Sequence, residues 1–268
     1  MKNIILITGM GAMGLACART LGSGHHLLLA DNDASRVDHA IQHLSEEGYD
    51  VSGCRLDLGQ AASAHALADE IGKHGHLKAM VHTAAISQSQ APTAERIYDV
   101  NLVGTATLID VMRKLAGPGT VGVVIASMGA QFISIPAEIE RRLALAPLNE
   151  LKDAIRDLPG YDDKNMAYLI AKRGNQLRVE AESLIWAKTG ARLISISPGV
   201  ISTAQGRQEM REHPEVAKIV DNCPAQRIGT PQDIANAVDW LLSRHASFIT
   251  GIDLRVDGGT IASQRWQQ

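Results

Sequence analysis

The stretch Asn3-Ile4-Ile5-Leu6-Ile7-Thr8-Gly9-Met10-Gly11-Ala12-Met13-Gly14-Leu15-Ala16 decides the fold. Its first six residues, Asn3–Thr8, form an apolar, β-branched run of strand length, and Leu15–Leu21 beyond it reads as a helix. Gly9, Gly11 and Gly14 stand at the junction as G-x-G-x-x-G. Glycine there permits a tight turn and a close backbone approach, while the helix start leaves N–H groups free for a pyrophosphate. Taken alone, the motif is weak evidence, because a Gly-rich turn that serves only packing has the same pattern. Its place on the first strand of an alternating chain favours the ligand-binding reading.

The alternation continues outward from that junction. Strand-like runs recur at His26–Ala30, Asp50–Leu56, Ala79–Thr83, Val121–Ala126, Arg192–Ser197 and Asp253–Val256. Helix-patterned segments lie between them at Arg36–Glu47, Ala61–Lys73, Ile97–Leu115, Asn165–Lys188 and Pro231–Leu242. Runs that are apolar at nearly every position expect burial on both faces and hence parallel pairing. With right-handed crossovers, this order predicts an α/β fold: a doubly wound parallel sheet of about seven strands with helices on both faces. No repeat or linker divides the chain, so residues 1–268 read as a single domain. One segment, about 130–163, breaks the rhythm. Glu138–Leu143 and Leu148–Leu158 look like one or two short amphipathic helices, stopped at Pro159-Gly160. The segment reads as an insert that either covers a substrate or builds a subunit interface.

The second strand runs into Asp31, seventeen positions beyond Gly14. A carboxylate at that place accepts both hydroxyls of an adenosine ribose and repels a 2′-phosphate, which favours NAD over NADP. Asp33 competes for the same role, and either residue would also suit a solvated loop. Gly9, Gly11, Met13 and Gly14 are the loop's candidate cofactor contacts.

A second constellation lies downstream. Tyr168 and Lys172 stand at i and i+4 on the long helix and share a face. A nearby ammonium favours the phenolate and suits the tyrosine to proton transfer. Val123-Val124-Ile125-Ala126-Ser127 places a serine at the C-terminal end of a buried strand, where such sheets bind ligands. Asn101 lies inside a predicted helix, where asparagine is mildly unfavourable and marks a cap, a kink or another duty.

In this order the features resemble the short-chain dehydrogenase/reductase family over essentially the whole chain. The matching pieces are the Thr8-Gly9 loop, Asp57-Leu58, Thr83-Ala84-Ala85, Asn101, Ser127, Tyr168 with Lys172, Ser197-Pro198-Gly199 through Thr203, and Val256-Asp257-Gly258-Gly259. Ser127 and Tyr168 are 41 positions apart, wider than is usual in the family. This spacing looks like the bacterial 3α-hydroxysteroid dehydrogenase/carbonyl reductase branch. The resemblance implies a Rossmann fold and hydride transfer between a nicotinamide and an alcohol/carbonyl pair, with Tyr168 exchanging the substrate proton and Ser127 bonding the substrate oxygen. It further implies that Lys172 binds the nicotinamide ribose and that Asn101 helps hold a proton-relaying water. Asp57 and Leu58 would line the adenine, Ala84 and Ala85 the adenosine ribose side, and Pro198, Val200 and Thr203 the nicotinamide. A homodimer or homotetramer is expected on the same ground. Two departures stand out. The glycine loop is one residue short, and His82-Thr83-Ala84-Ala85 replaces the usual N-N-A-G, removing two asparagines that brace the central strands.

The bulk composition is consistent with such an enzyme. Of 268 residues 45% are hydrophobic and 21% charged, and the formal net charge of −3 offers no attraction to nucleic acid or an anionic membrane. Glycines cut short the N-terminal apolar run before it makes a signal peptide, and no long apolar stretch suggests a membrane span. Cys17, Cys54 and Cys223 are odd in number and form no CxxC, so a reducing, cytoplasmic setting is expected. The histidines lack ligand spacing, read as surface residues, and imply no metal. Trp186, Met112 and Trp240 read as core or interface residues, and Asp162-Asp163 as caps of the helix that follows. Met128, Phe132, Ile133, Ile135, Met210, Ile219 and Val220 predict a largely apolar secondary alcohol or ketone, whether steroid-like, terpenoid or aromatic. Two other functions fit the same scaffold. A non-catalytic redox sensor would have no need to keep Tyr168 and Lys172. An epimerase or dehydratase usually carries a larger C-terminal substrate domain, for which the stretch after Gly199 is too short.

Overall fold

The apolar runs of the chain form one seven-stranded parallel sheet. The computed structural model describes residues 2–212 and 214–266, without the side chains of residues 205, 209, 212, 214 and 215. The strands are β1 (Lys2–Thr8), β2 (His26–Asp31), β3 (Asp50–Arg55), β4 (Gly75–His82), β5 (Val121–Ile125), β6 (Arg192–Pro198) and β7 (Asp253–Val256). The helices are α1 (Ala12–Leu21), α2 (Ala34–Glu46), α3 (Ala61–His74), α4 (Ala94–Ile97), α5 (Thr105–Arg113), α6 (Ala137–Leu145), α7 (Lys164–Trp186), α8 (Ala204–Glu212), α9 (Pro214–Asp221), α10 (Pro231–Leu242) and α11 (Thr260–Trp266). The sheet order is β3-β2-β1-β4-β5-β6-β7. The order in which the parallel strands are added therefore switches sides between β1 and β4, which opens a crevice at their C-terminal ends.

Side chains alternate across each strand, and the two faces collect different residues. Ile5, Ile7, Leu27, Leu29, Val81, Val123 and Ile194 pack under α1, α2 and α10. Ile4, Leu6, Leu28, Met80, Val124 and Leu193 pack against the other layer with Leu67, Leu108, Val179 and Trp186. Central strands covered on both sides need apolar residues at every position, which is why β2 and β5 are buried throughout. Edge strand β7 is only partly buried.

One expectation is corrected, that of the histidines, and three others gain detail. The helix expected over Ile97–Leu115 forms from α4 through α5, with a π-helical stretch at Tyr98–Gly104 between them. Asn101 pins this π-turn, its side-chain amide donating to Ile86 O at 2.8 Å and accepting from Ile86 N at 2.9 Å. Such π-helical stretches are rare and occur mostly as single turns inside α-helices. Of the one or two short helices expected in the insert, one forms as a regular helix, α6. Leu148–Glu150 is a single 3-10 turn, and 151–157 continue as turns. Leu143, Leu151 and Ile155 are nevertheless fully buried against α4 and α7, so apolar contact rather than helix length seats the segment. Trp240 is 44% exposed on α10, which leaves it the interface role of the two expected, whereas Trp186 and Met112 are fully buried. The histidines are not uniformly superficial, since His26 and His82 are buried.

Among the described residues no helix is long and apolar enough to cross a membrane, and no three His, Cys, Asp or Glu side chains come together to hold a metal.

Candidate active site

The crevice beside β1 is a cavity of about 890 Å³. It is lined by Gly9, Gly11, Met13, Asp31, Asp57, Leu58, Ala84, Ala85 and Thr203 among the expected residues. Gly9 has φ +90°, and a Cβ there would lie 2.6 Å from Ala84 N, so the loop crosses β4 as closely as backbone allows. Gly11 caps α1 in extended geometry with no side-chain cap, and the first turn carries no acid. The positive end of α1 therefore opens onto the cavity, as an anion requires. The residues present fit a dinucleotide.

Gly14 is not in the cavity lining. A Cβ at Gly14 would meet Gly9 O at 1.9 Å, whereas one at Gly11 would meet nothing within 4 Å. Gly14 thus acts by letting α1 close onto the loop. Gly14→Ala is expected to cost about 2 kcal/mol or more through overpacking, and Gly11→Ala much less. Urea denaturation of both variants decides it, and equal midpoints would refute the assignment.

At the far end of the cavity Asp31 is buried, its Oδ2 accepting from Met10 N at 2.7 Å and its Oδ1 from Asp33 N at 3.0 Å. These bonds fix the carboxylate against the glycine loop. Asp33 has a different duty. Exposed, it caps α2 by accepting from Ser35 N and Arg36 N, and the Ser35 hydroxyl and these amides hold its carboxyl below the usual range. Sequence reasoning missed Asn32, Arg36, Arg55, Gln90, Arg96 and Val100, which also line the cavity. Most of these join it through chain crossings that have no local signature.

Tyr168, Lys172 and Ser127 lie outside that lining. Lys172 is 3% exposed, its Nζ donates to Ile125 O at 2.9 Å and sits 5.7 Å from the Tyr168 ring centroid. Burial pushes its pKa down to about 8. Asp163 caps the helix that carries both, accepting from Met166 N at 2.8 Å. Ser127 lies two residues beyond β5, and its Oγ accepts from Gly129 N at 3.1 Å. The turn after it packs on α7, with Gly129 under Leu169, which leaves no room for a Cβ at that glycine. Pro198 ends β6, and Val200 lines a separate cavity of about 250 Å³ with Ile201, Ile219, Val220 and Cys223.

The missing asparagines of the fourth strand have a replacement. His82, fully buried, joins Thr8 Oγ1 at 2.6 Å and Thr105 Oγ1 at 2.9 Å, while Thr83 Oγ1 donates to Thr8 O at 2.9 Å. The bracing of β1 to β4 and α5 is therefore kept with different side chains. Burial and the Lys172 ammonium push the His82 pKa down to about 3, so the imidazole is neutral.

Comparison with known proteins finds relatives that match most of the chain. The family described as short chain dehydrogenase matches residues 3–136, and that described as Enoyl-(Acyl carrier protein) reductase matches residues 154–260. The chain is 31% identical over 265 residues to the short-chain dehydrogenase/reductase bsc3 of Alternaria brassicicola, covering 97% of this chain and 96% of that one. It is 28% identical to dehydrogenase/reductase SDR family member 4 of Bos taurus, with 97% and 88% covered. The crystal structure of gox2181 shares the fold at a TM-score of 0.78 and 23% identity, over 97% of this chain and 96% of that one. With likeness in sequence and fold extending over nearly its full length, this chain belongs to the short-chain dehydrogenase/reductase family of oxidoreductases.

Proposed function

We propose that this oxidoreductase is NAD-dependent and acts on an apolar secondary alcohol or the corresponding ketone, with Tyr168 as its acid/base. The observation that carries the reading is the buried Lys172 ammonium beside the Tyr168 ring. A cation in that place stabilises the phenolate, so Tyr168 gives a proton to a ketone oxygen or takes one from an alcohol. Ser127 donates a hydrogen bond to the same oxygen and stabilises the charge that develops on it. Lys172, released from Ile125 O, holds the nicotinamide ribose. Asn101, whose amide is spent on Ile86, acts through the backbone of the π-turn it pins, which holds the water that relays protons behind Lys172. Bound nicotinamide supplies the hydride chemistry. Gly9, Gly11 and Met13 hold the pyrophosphate end, Asp57, Leu58, Ala84 and Ala85 the adenosine, and Pro198, Val200 and Thr203 the nicotinamide.

Two carboxylates support NAD over NADP. Asp31, held beside the glycine loop by Met10 N and Asp33 N, would accept the ribose hydroxyls, and the Asp33 carboxylate already fills the N-terminus of α2 where a 2′-phosphate would find free N–H groups. Met128 and Phe132, one and five positions after Ser127, support an apolar substrate. Exposed Trp240, Phe248 and Ile252 near edge strand β7 support a homo-oligomer.

The test is calorimetric binding of NADH and NADPH to wild type and Asp31→Ala, followed by a panel of ketones and alcohols. NADH is expected to bind at least about tenfold more tightly than NADPH, and Asp31→Ala to erase most of that preference, since a charge-assisted hydrogen bond contributes roughly 1.5–3 kcal/mol. NADPH preference in wild type would refute NAD dependence. Tight binding without turnover on any panel member would leave a redox sensor.

A further inference from the structure

We infer that Arg96 sets the base selectivity of the dinucleotide cavity by holding Asp57 ready for the amino group of adenine. This rests on the reading of that cavity as the dinucleotide site. Leu58, Ala84, Ile86 and Val100 make one part of the cavity an apolar slot of the kind that takes a flat base. Two charged side chains share this region, and they are partners. Arg96 Nη2 donates to Asp57 Oδ1 at 3.2 Å, and both residues line the cavity. Gly59 N donates to the same Oδ1 at 2.9 Å. Asp57 Oδ2 has no hydrogen-bond partner among the described residues.

The carboxylate is thus held by one oxygen and offers the other as an acceptor. Adenine presents its exocyclic N–H₂ as a donor, whereas hypoxanthine presents a carbonyl oxygen in the same place. A carboxylate facing that carbonyl is repulsive, so the slot reads the amino group. Arg96 contributes by neutralising a half-buried anion and by fixing its orientation, which an untethered aspartate would lose to solvent. Arg96 and Val100 stand four residues apart on the segment entering the π-turn, which presents the guanidinium and the apolar wall together.

The seat of the guanidinium is Gly59. A Cβ there would lie 2.0 Å from Arg96 Nη1, and Gly59 has no unusual φ to preserve. Gly59→Ala therefore displaces the guanidinium without removing it and without straining the backbone, which gives a second variant independent of Arg96→Leu.

The experiment measures the affinity of wild type, Arg96→Leu and Gly59→Ala for NADH and for its hypoxanthine analogue, with circular dichroism verifying the fold. Wild type is expected to prefer the adenine form by about tenfold or more. Both variants are expected to weaken NADH binding about tenfold and bring the preference toward unity, because the hypoxanthine form has little to lose. An equal loss for both ligands, with the preference kept, would make Arg96 a wall or a general charge and overturn the inference. Unchanged NADH affinity would also overturn it. Failure of wild type to bind either ligand would instead overturn the dinucleotide reading itself.

Discussion

Tyr168→Phe is expected to lower turnover of any ketone or alcohol substrate by about 10²–10⁴-fold while leaving NADH affinity within about twofold. The substitution deletes one hydroxyl. The ring remains, so its packing and its proximity to the Lys172 ammonium at 5.7 Å are kept. Only the proton that must travel with the hydride is lost, and a loss confined to the transition state lowers kcat rather than cofactor binding. Steady-state kinetics beside calorimetry measure both quantities. A variant retaining more than about a tenth of wild-type kcat would remove Tyr168 from the acid/base role.

His82→Leu is expected to destabilise the protein by about 2–4 kcal/mol at pH 7, because it strands two buried hydroxyls, Thr8 and Thr105, that share the imidazole. The wild type should also carry a pH signature. An exposed histidine in the unfolded chain titrates near 6.5, whereas folded His82 does so only at about 3. Between those values the unfolded chain binds a proton that the folded chain refuses. Acidification through this window therefore costs stability, by up to roughly 1.4 kcal/mol per pH unit from this group. His82→Gln keeps hydrogen-bonding capacity but has no such proton, so its stability should fall less steeply from pH 7 to pH 5. Urea denaturation at the two pH values gives the comparison, and parallel slopes for wild type and His82→Gln would refute the account.

The parts of this protein that were legible in one dimension are those whose signal is local. Strand burial on both faces writes itself as unbroken apolar runs, and the i, i+4 pair of Tyr168 and Lys172 follows from helix geometry alone. The capping role of Asp163 is equally local and was anticipated. Where local reading was incomplete, a distant contact added what propensity does not show. Ile97–Leu115 has a continuous helical pattern, yet Asn101 binds the backbone of Ile86, and the ladder opens into a π-turn. The replacement of the N-N-A-G asparagines looked like a loss. In space, His82 bridges residues from β1 and α5 and restores the brace.

By itself the sequence determined the alternating α/β order, the glycine loop at the first strand, the family, and the candidates Ser127, Tyr168 and Lys172. Periodicity and short-range spacing are properties of neighbours along the chain, so they survive without coordinates. Only the tertiary structure decided that Asp33 caps a helix while Asp31 braces the loop, that Gly14 serves packing, that the His82 imidazole stays neutral, and that Arg96 meets Asp57. Each of these depends on which strands and helices lie side by side. That juxtaposition is set by burying both faces of the sheet at once, a collective outcome that no single segment encodes.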